Sequence, residues 1–154
     1  MKIVAIVGHK HTKKDWIATK LSENSDVEYI RPYVGIDLPQ NAEPHELSEY
    51  HVVLPQVLED MLRTEDVLYY VEINGRIYAY FKFQMKSAYN VLITDDYGVI
   101  ALKDNWDGEL YSIFVKSQNQ EPSKRVGEFL TPSEFDEVFD VDSDDLDELE
   151  ARIV

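Results

Sequence analysis

The first residues whose types and spacing could do chemistry lie near the start of the chain. Gly8 follows residues 3–7, which are apolar and mostly β-branched, and which predict a strand buried on both faces. Lys14 follows a short polar stretch and opens a helix predicted over residues 14–23. A turn between such a strand and helix can wrap an anion with backbone N–H groups, and a lysine adds a positive charge. The spacing therefore predicts a phosphate-binding loop.

This loop departs at two positions from the usual pattern G-x-x-x-x-G-K-[ST]. Lys13 replaces the second glycine, and its side chain strains the loop if that position needs a glycine-like backbone angle. Asp15 replaces the Ser or Thr, but a carboxylate could still hold Mg²⁺ through water. The alternative interpretation is a solvated basic turn. The predicted phosphate-binding residues are Gly8, Lys10, Thr12, Lys13, Lys14 and Asp15.

Length and charge limit the classes of function. The 154 residues suit one domain with a real core. A formal net charge of −15 repels nucleic acid, so a nucleic-acid-binding role is disfavoured. Basic residues gather between Lys10 and Lys20, which favours a small anionic ligand. No apolar run reaches the roughly 18 residues of a membrane span, and the N-terminus does not resemble a signal peptide. We expect a cytoplasmic protein with no membrane partner.

Other residue types point away from further chemistries. The chain has no cysteine, which excludes a disulfide framework and a thiolate zinc site. His9 and His11 have no HExxH partner, so they do not predict a metal site. The region 134–150 is strongly acidic and contains no Lys or Arg. We interpret it as the solvated face of a helix rather than as a nucleic-acid mimic or a partner-binding tail.

Strand patterns and helix patterns alternate along the chain, which predicts an α/β fold with a mostly parallel sheet. Asn74 and Gly75 separate two β-rich runs and predict a hairpin, which adds a small antiparallel β insertion. The predicted strands after the first are residues 27–30, 67–73, 76–81, 90–94, 110–115 and 138–141.

The remaining segments are predicted to be helices or loops. Apolar residues at helical spacing predict a helix over residues 54–63, and residues 83–88 predict a short one. Residues 143–145 predict the cap of a C-terminal helix. Prolines and glycines predict an irregular segment over residues 31–49 and a mobile loop over residues 117–133.

Several segments, taken in order, resemble the guanylate kinase family. Residues 49–53 resemble its D-Y-x-F-V segment, and residues 67–78 resemble F-L-E-W-A-E-V-H-G-N-Y-Y-G. Residues 90–98 resemble V-I-L-D-I-D-V-Q-G, and residues 135–146 resemble Y-D-Y-V-I-V-N-D-D-L. The resemblance implies a three-layer P-loop fold in a single domain over residues 1–154. Its expected parts are a core (1–30 and 84–154), an acceptor-binding insertion (about 31–83) and a short lid (about 117–133).

The resemblance also implies roles for individual residues in phosphoryl transfer. Lys14 would contact the β- and γ-phosphates of ATP, and Lys14 with Arg125 would neutralise the charge that develops during transfer. Asp15 and Asp95 would lie near Mg²⁺. The Lys-Asp end of the loop also resembles phage deoxynucleoside-monophosphate kinases, in which an aspartate follows the loop lysine. The small size of the chain and its reduced motifs favour a viral or mobile-element origin. Acceptor-binding residues would be Arg31, Tyr50, Tyr78 and Asp95.

Three of the acceptor assignments have a simpler alternative. Tyr50 and Tyr78 could be half-buried strand tyrosines, and Arg31 could be an ordinary surface arginine. Asp95 ends a buried strand, where ligands of parallel sheets bind, and we interpret it as functional. The neighbouring Asp96 is not expected to act with it as a carboxylate pair, because neighbours on a strand point to opposite faces.

Other positions depart from the family pattern. Val34 replaces the second acceptor arginine, Tyr69 replaces the glutamate that reads guanine, and Tyr80 replaces a Ser or Thr hydroxyl. The short lid offers only Lys124 and Arg125 as cations. Two functions follow: an Mg-ATP-dependent kinase acting on a nucleoside or deoxynucleoside monophosphate, or a binding module that has lost the chemistry. The module would bind a nucleotide, or a protein partner through its acidic surface.

Overall fold

The computed structural model describes residues 1–9, 12–37, 43–117 and 129–154. The chain forms two compact units. We call Met1–Tyr29 with Lys86–Val154 the core unit, and Ile30–Met85 the inserted unit. Within the described ranges, every helix is too short or too polar to cross a membrane.

Nine strands and five α-helices are assigned within the described residues. In chain order they are β1 (Lys2–Gly8), α1 (Lys14–Leu21), β2 (Val27–Tyr29), β3 (Tyr33–Gly35), α2 (Pro44–Glu49), β4 (His51–Val53), α3 (Pro55–Thr64), β5 (Val67–Ile73), β6 (Arg76–Phe81), β7 (Tyr89–Ile93), α4 (Asp96–Asn105), β8 (Glu109–Lys116), β9 (Glu137–Asp140) and α5 (Leu146–Ile153). Short 3₁₀ helices cover Lys82–Gln84 and Pro132–Glu134.

The core unit is built on a five-stranded parallel sheet in the order β2-β7-β1-β8-β9. The central strand β1 is buried from Ile3 to Val7, as its continuous apolar sequence predicts. The α/β class with a mostly parallel sheet is therefore confirmed. Side chains of α1 and α5 pack with strand residues into one core, which includes Ile17, Leu21, Leu149 and Ile153.

The inserted unit contains a four-stranded sheet in the order β4-β3-β6-β5. The predicted hairpin is present, and Asn74 and Gly75 take the positive φ values of 52° and 79° that such a turn requires. The sheet is mixed rather than purely antiparallel, because β3 pairs with β4 in parallel. Its core contains Leu58, Ala79 and Phe81.

The prediction that residues 31–49 are irregular was wrong. They contain β3 and α2, although residues 38–42 lie outside the described ranges. A strand of three residues is too short to show a periodic pattern. Pro44 lies in the first turn of α2, where the missing N–H costs nothing, so it starts this helix rather than breaking it.

Two other local predictions also need correction. The helix predicted over residues 83–88 is only a 3₁₀ turn at Lys82–Gln84. The side chain of Gln84 caps the start of this turn by accepting from the Phe81 N–H at 2.9 Å, and it donates to the Arg31 carbonyl at 2.7 Å. Helix α4 was not predicted. At the C-terminus the predicted cap is Asp145, whose side chain accepts from the Asp147 N–H.

Candidate functional site

The loop after β1 lies at the carboxyl edge of the core unit's sheet. Strand β1 is followed by α1 and by β2, which lies on the β7 side of the sheet, whereas β7 is followed by α4 and by β8, on the other side of β1. The connections after these two neighbouring strands therefore run in opposite directions. In open parallel sheets, ligands bind outside the carboxyl ends of the strands at such a switch point. The fold therefore places Gly8 and the start of α1 where a ligand site is expected.

Gly8 is required by close packing at the end of β1. A Cβ at this position would lie 2.7 Å from the Val115 carbonyl oxygen and 2.8 Å from the Thr12 hydroxyl. Thr12 is fully buried, and its hydroxyl donates to the His9 carbonyl at 2.8 Å. These contacts hold the described part of the loop tightly against the sheet. His9 packs edge-on against the ring of Phe114.

Lys13 is the residue that precedes α1, and its backbone is left-handed, with φ 61° and ψ 29°. This is the conformation that glycine adopts freely and that other L-residues adopt at a cost of about 1 kcal/mol. The structure thus meets the condition under which a lysine in place of the second glycine strains the loop. Its side chain is exposed, so packing does not offset the strain.

Lys14 turns its side chain back over the loop. Its ammonium donates to the Gly8 carbonyl oxygen at 2.7 Å. Burial lowers the pKa of Lys14 below its ordinary value, and the negative charge of Asp95 opposes that shift. Two of the predicted site residues, Lys14 and Asp95, are thus brought within electrostatic reach of one another.

The two adjacent aspartates after β7 have different roles. They are the cap and first residue of α4, not strand residues as we expected. Asp95 is exposed and accepts from the Gly98 N–H at 2.8 Å. Asp96 is buried and accepts from the N–H groups of Phe129 and Leu130 at 2.8 and 3.1 Å. Asp96 therefore fixes the segment that follows residue 128.

The residues predicted to hold Mg²⁺ offer a limited set of ligands. Asp15 is exposed and accepts from the Tyr29 hydroxyl at 2.9 Å. In the described part of the chain, no three His, Asp or Glu side chains are grouped to hold a metal ion. Magnesium bound with a nucleotide needs only one or two carboxylates, because phosphates and water supply the other ligands. Asp95, next to Lys14, suits that role.

Three of the four predicted acceptor residues lie in the inserted unit, and the fourth, Asp95, belongs to the core unit. Tyr50 ends α2, and its ring meets that of Tyr78 on β6 edge-to-face with centroids 5.4 Å apart. Arg31 approaches the carbonyl oxygen of Glu49 to 3.5 Å, beside Tyr50. Burial is the largest cause that raises the pKa of Tyr50, followed by electrostatic interactions with Tyr78, Glu49 and Glu46. The Tyr50 phenol therefore stays protonated and able to donate a hydrogen bond.

An ion pair that the sequence did not reveal joins α2 to β6 within the same unit. Glu46 on α2 is buried, and its carboxylate accepts from the Arg76 guanidinium and from the Glu43 N–H. The Glu43 N–H is the largest cause that lowers the pKa of Glu46, and the charge of Arg76 adds to it. Glutamate three residues after the cap is the only sequence signal for this arrangement.

The three departures from the family pattern in the inserted unit are buried, unlike Lys13 and Asp15 in the loop. Val34 is fully buried in β3 and pairs with Tyr78. Tyr69 and Tyr80 face each other across β5 and β6 with ring centroids 5.4 Å apart, and each is less than a tenth exposed. Four residues discussed for the loop and the lid lie outside the described residues: Lys10, His11, Lys124 and Arg125.

Comparison with known proteins identifies the fold. No protein-family model and no curated relative matches the chain. The crystal structure of guanylate kinase from Anaplasma phagocytophilum aligns with a TM-score of 0.59 and 14% sequence identity, over 99% of this chain and 81% of that one. A gluconokinase from Sinorhizobium meliloti 1021 aligns over 99% and 93% at 15% identity, but its TM-score of 0.43 is too low to support an argument. The chain therefore has the guanylate kinase-like P-loop fold that its sequence predicts.

Proposed function

We propose that this protein is a kinase that transfers the γ-phosphoryl group of ATP to a nucleoside or deoxynucleoside monophosphate. The observation that carries the proposal is the position of Lys14, whose ammonium caps the Gly8 carbonyl at 2.7 Å where the central strand ends. A lysine there, at the start of a helix, suits the terminal phosphates of a nucleoside triphosphate.

The loop and Asp95 would bind the donor nucleotide. N–H groups at the start of α1 would hold the phosphates, Lys14 would exchange its backbone partner for a phosphate oxygen, and the helix dipole favours the negative charge. Magnesium, when bound with ATP, would neutralise part of the phosphate charge. Asp95 would orient its coordinated water, and Asp15 is a second candidate for that role. Arg125 remains the predicted cation of the lid.

Arg31, Tyr50 and Tyr78 would bind the acceptor phosphate. A guanidinium and two phenols donate to a phosphate dianion, and convergent donors fix its position for attack by one of its oxygens. The protein forms no covalent intermediate in this reaction, so positioning and electrostatics carry the catalysis. Tyr69 and Tyr80 replace the polar groups that read guanine in the family, so we propose that the acceptor base is not restricted to guanine.

The second candidate is a binding module without kinase activity. Two observations favour it: the left-handed backbone of Lys13 and the burial of Val34 in place of an acceptor arginine. Such a module would bind a nucleotide without turnover, or a protein through the acidic surface. Loss of cations that stabilise a transferring phosphoryl group can reduce turnover by orders of magnitude.

A coupled assay of ADP release separates the two candidates. The purified protein is incubated with Mg-ATP and each of the common ribo- and deoxynucleoside monophosphates. The kinase predicts turnover with at least one acceptor and its loss in Lys14→Ala. The matched control is Lys20→Ala, because Lys20 lies on the same helix and pairs with Glu23 at the surface. Full activity in Lys14→Ala contradicts the loop assignment, and no turnover from folded protein favours the module.

A further inference from the structure

We infer that Arg76 supplies a second cation to the acceptor phosphate and that Glu46 holds its guanidinium in place for that contact. The inference rests on the proposed function, because it concerns the phosphate that Tyr50 and Tyr78 would bind. It adds a side chain that binds the phosphate, at a position where neither the loop pattern nor the family resemblance predicts one.

The strand geometry puts Arg76 on the correct face. Arg76 and Tyr78 are two residues apart on β6, and side chains at that spacing project from the same face of a sheet. The ring of Tyr50 packs against Tyr78. Arg76 is thus on the face that carries both phenols.

The carboxylate of Glu46 anchors the guanidinium of Arg76 within this unit. Both oxygens of the buried Glu46 carboxylate are engaged, one by Arg76 and the other by the Glu43 N–H at 3.0 Å. The charge of Glu46 also contributes to the raised pKa of Tyr50, so this carboxylate lies within electrostatic reach of the phenol. The anchor therefore holds Arg76 against the first turn of α2, the short helix that Tyr50 ends.

The remaining donors of Arg76 are suited to a phosphate. A guanidinium carries five N–H donors in a planar fork, and the Glu46 contact is made through Nη1. The Arg76 side chain is 35% exposed, so part of the fork faces solvent, from which a ligand arrives. Val34, which replaces the family's second acceptor-binding arginine, is fully buried and offers no charge. Arg76 would compensate for that missing arginine.

The competing explanation is an ion pair that only ties the hairpin to α2. The two explanations differ in what the ligand's phosphate contributes to affinity. We would titrate the wild type, Arg76→Gln and Arg63→Gln by calorimetry with the nucleoside monophosphate that binds best and with its nucleoside. Arg63→Gln is the matched control, because Arg63 lies in the same unit and pairs with Asp60 at the surface of α3.

The expected result is a selective loss of affinity. Arg76→Gln should weaken binding of the monophosphate by about ten- to a hundredfold, the range for a hydrogen bond to a charged group, and leave binding of the nucleoside unchanged. Arg63→Gln should change neither. If Arg76→Gln does not fold, Arg76→Lys decides, since it keeps the charge but loses the fork. It should weaken binding of the monophosphate alone.

Two outcomes would overturn the inference, and they are distinguishable. In the first, Arg76→Gln lowers the melting temperature but leaves the ratio of monophosphate affinity to nucleoside affinity unchanged. Arg76 would then have only a structural role, in its ion pair with Glu46. A wild-type protein that binds no monophosphate would refute the proposed function itself, and the role of Arg76 with it.

Discussion

The ammonium of Lys14 donates a 2.7 Å hydrogen bond to the carbonyl oxygen of Gly8, six residues before it in the chain. This contact closes the start of α1 onto the end of β1. A lysine held in this way is satisfied without a ligand, and a phosphate would compete with the Gly8 carbonyl for it. Because burial lowers the pKa of Lys14, removal of its charge should cost the fold little.

The first prediction follows from this arrangement. Lys14→Met should weaken binding of Mg-ATP by about ten- to a hundredfold, because one charge-assisted hydrogen bond to phosphate is lost. Its free energy of unfolding should stay within about 1 kcal/mol of the wild-type value, since the methionine keeps the apolar part of the side chain. Calorimetric titration and urea unfolding measure the two effects. Undiminished affinity for Mg-ATP would show that the loop does not bind phosphate.

The second prediction concerns the backbone of Lys13. Lys13→Gly should raise the free energy of unfolding by about 1 kcal/mol, because glycine adopts the left-handed conformation without strain. Lys13→Ala removes the same charge but keeps the Cβ, so it should give no such gain. Urea denaturation of both variants separates the backbone effect from the charge effect.

Asn74→Gly is a further control for that experiment. Asn74 also has a positive φ, of 52°, but asparagine tolerates this conformation better than lysine does. We therefore expect a smaller gain at Asn74 than at Lys13. Equal stabilities of Lys13→Gly and Lys13→Ala would rule out backbone strain at the loop.

The features that could be predicted from the sequence are those that a few neighbouring residues determine. Residues 3–7 show a buried strand in their composition, and the hairpin follows from Asn74 and Gly75. The cost of Lys13 follows from its place in the loop pattern. The contact between Tyr50 and Tyr78 was expected only through the family resemblance, because no local pattern joins residues so far apart in the chain.

The features that were missed depend on contacts that are distant in the chain or on very short elements. Strand β3 has three residues, and its pairing with β4 decides its state more than its own sequence does. Glu46 and Arg76 are separated by 30 positions, and both read as ordinary surface charges until the fold brings them together. In the sequence, Asp96 has no feature that distinguishes it from Asp95. Its hydrogen-bond donors are backbone N–H groups that lie more than 30 residues later in the chain.

The third prediction separates the two aspartates. Asp96→Asn should lower the free energy of unfolding by about 2–3 kcal/mol, because one buried and one part-buried N–H group lose a charged acceptor and face an amide. Asp95→Asn should cost less than about 1 kcal/mol, because asparagine also caps helices well. Chemical denaturation of both variants gives the comparison. Equal losses would contradict the structural role assigned to Asp96.

The same two variants should rank in the opposite order when their turnover is measured. If Asp95 lies near the metal and phosphates as proposed, Asp95→Asn should reduce turnover by at least about tenfold, as loss of one electrostatic contact in a site does. Asp96→Asn, assayed well below its own melting temperature, should retain more activity than Asp95→Asn. A fully active Asp95→Asn would remove Asp95 from the site.

The last prediction is a pH dependence that arises at Tyr111 on β8. Its hydroxyl donates to Glu137, which also pairs with Arg152. Burial, followed by the hydrogen bond to Glu137, raises the pKa of Tyr111 from 10.0 to about 12. The folded protein therefore keeps this proton at pH values where the unfolded chain has lost it. The stabilisation is complete below the unfolded pKa and disappears as the pH rises through the folded pKa.

The test compares the wild type with Tyr111→Phe by urea unfolding between about pH 9 and pH 12. As the pH rises from about 10 to about 12, the wild type should lose stability relative to Tyr111→Phe, because phenylalanine has no proton to lose. Other titrating groups are common to both proteins and cancel in the difference. Glu137→Gln, which keeps Tyr111 but removes the neighbouring charge, should show a weaker slope than the wild type. A difference that stays constant across this range would show that neither burial nor Glu137 raises the pKa of Tyr111 in solution.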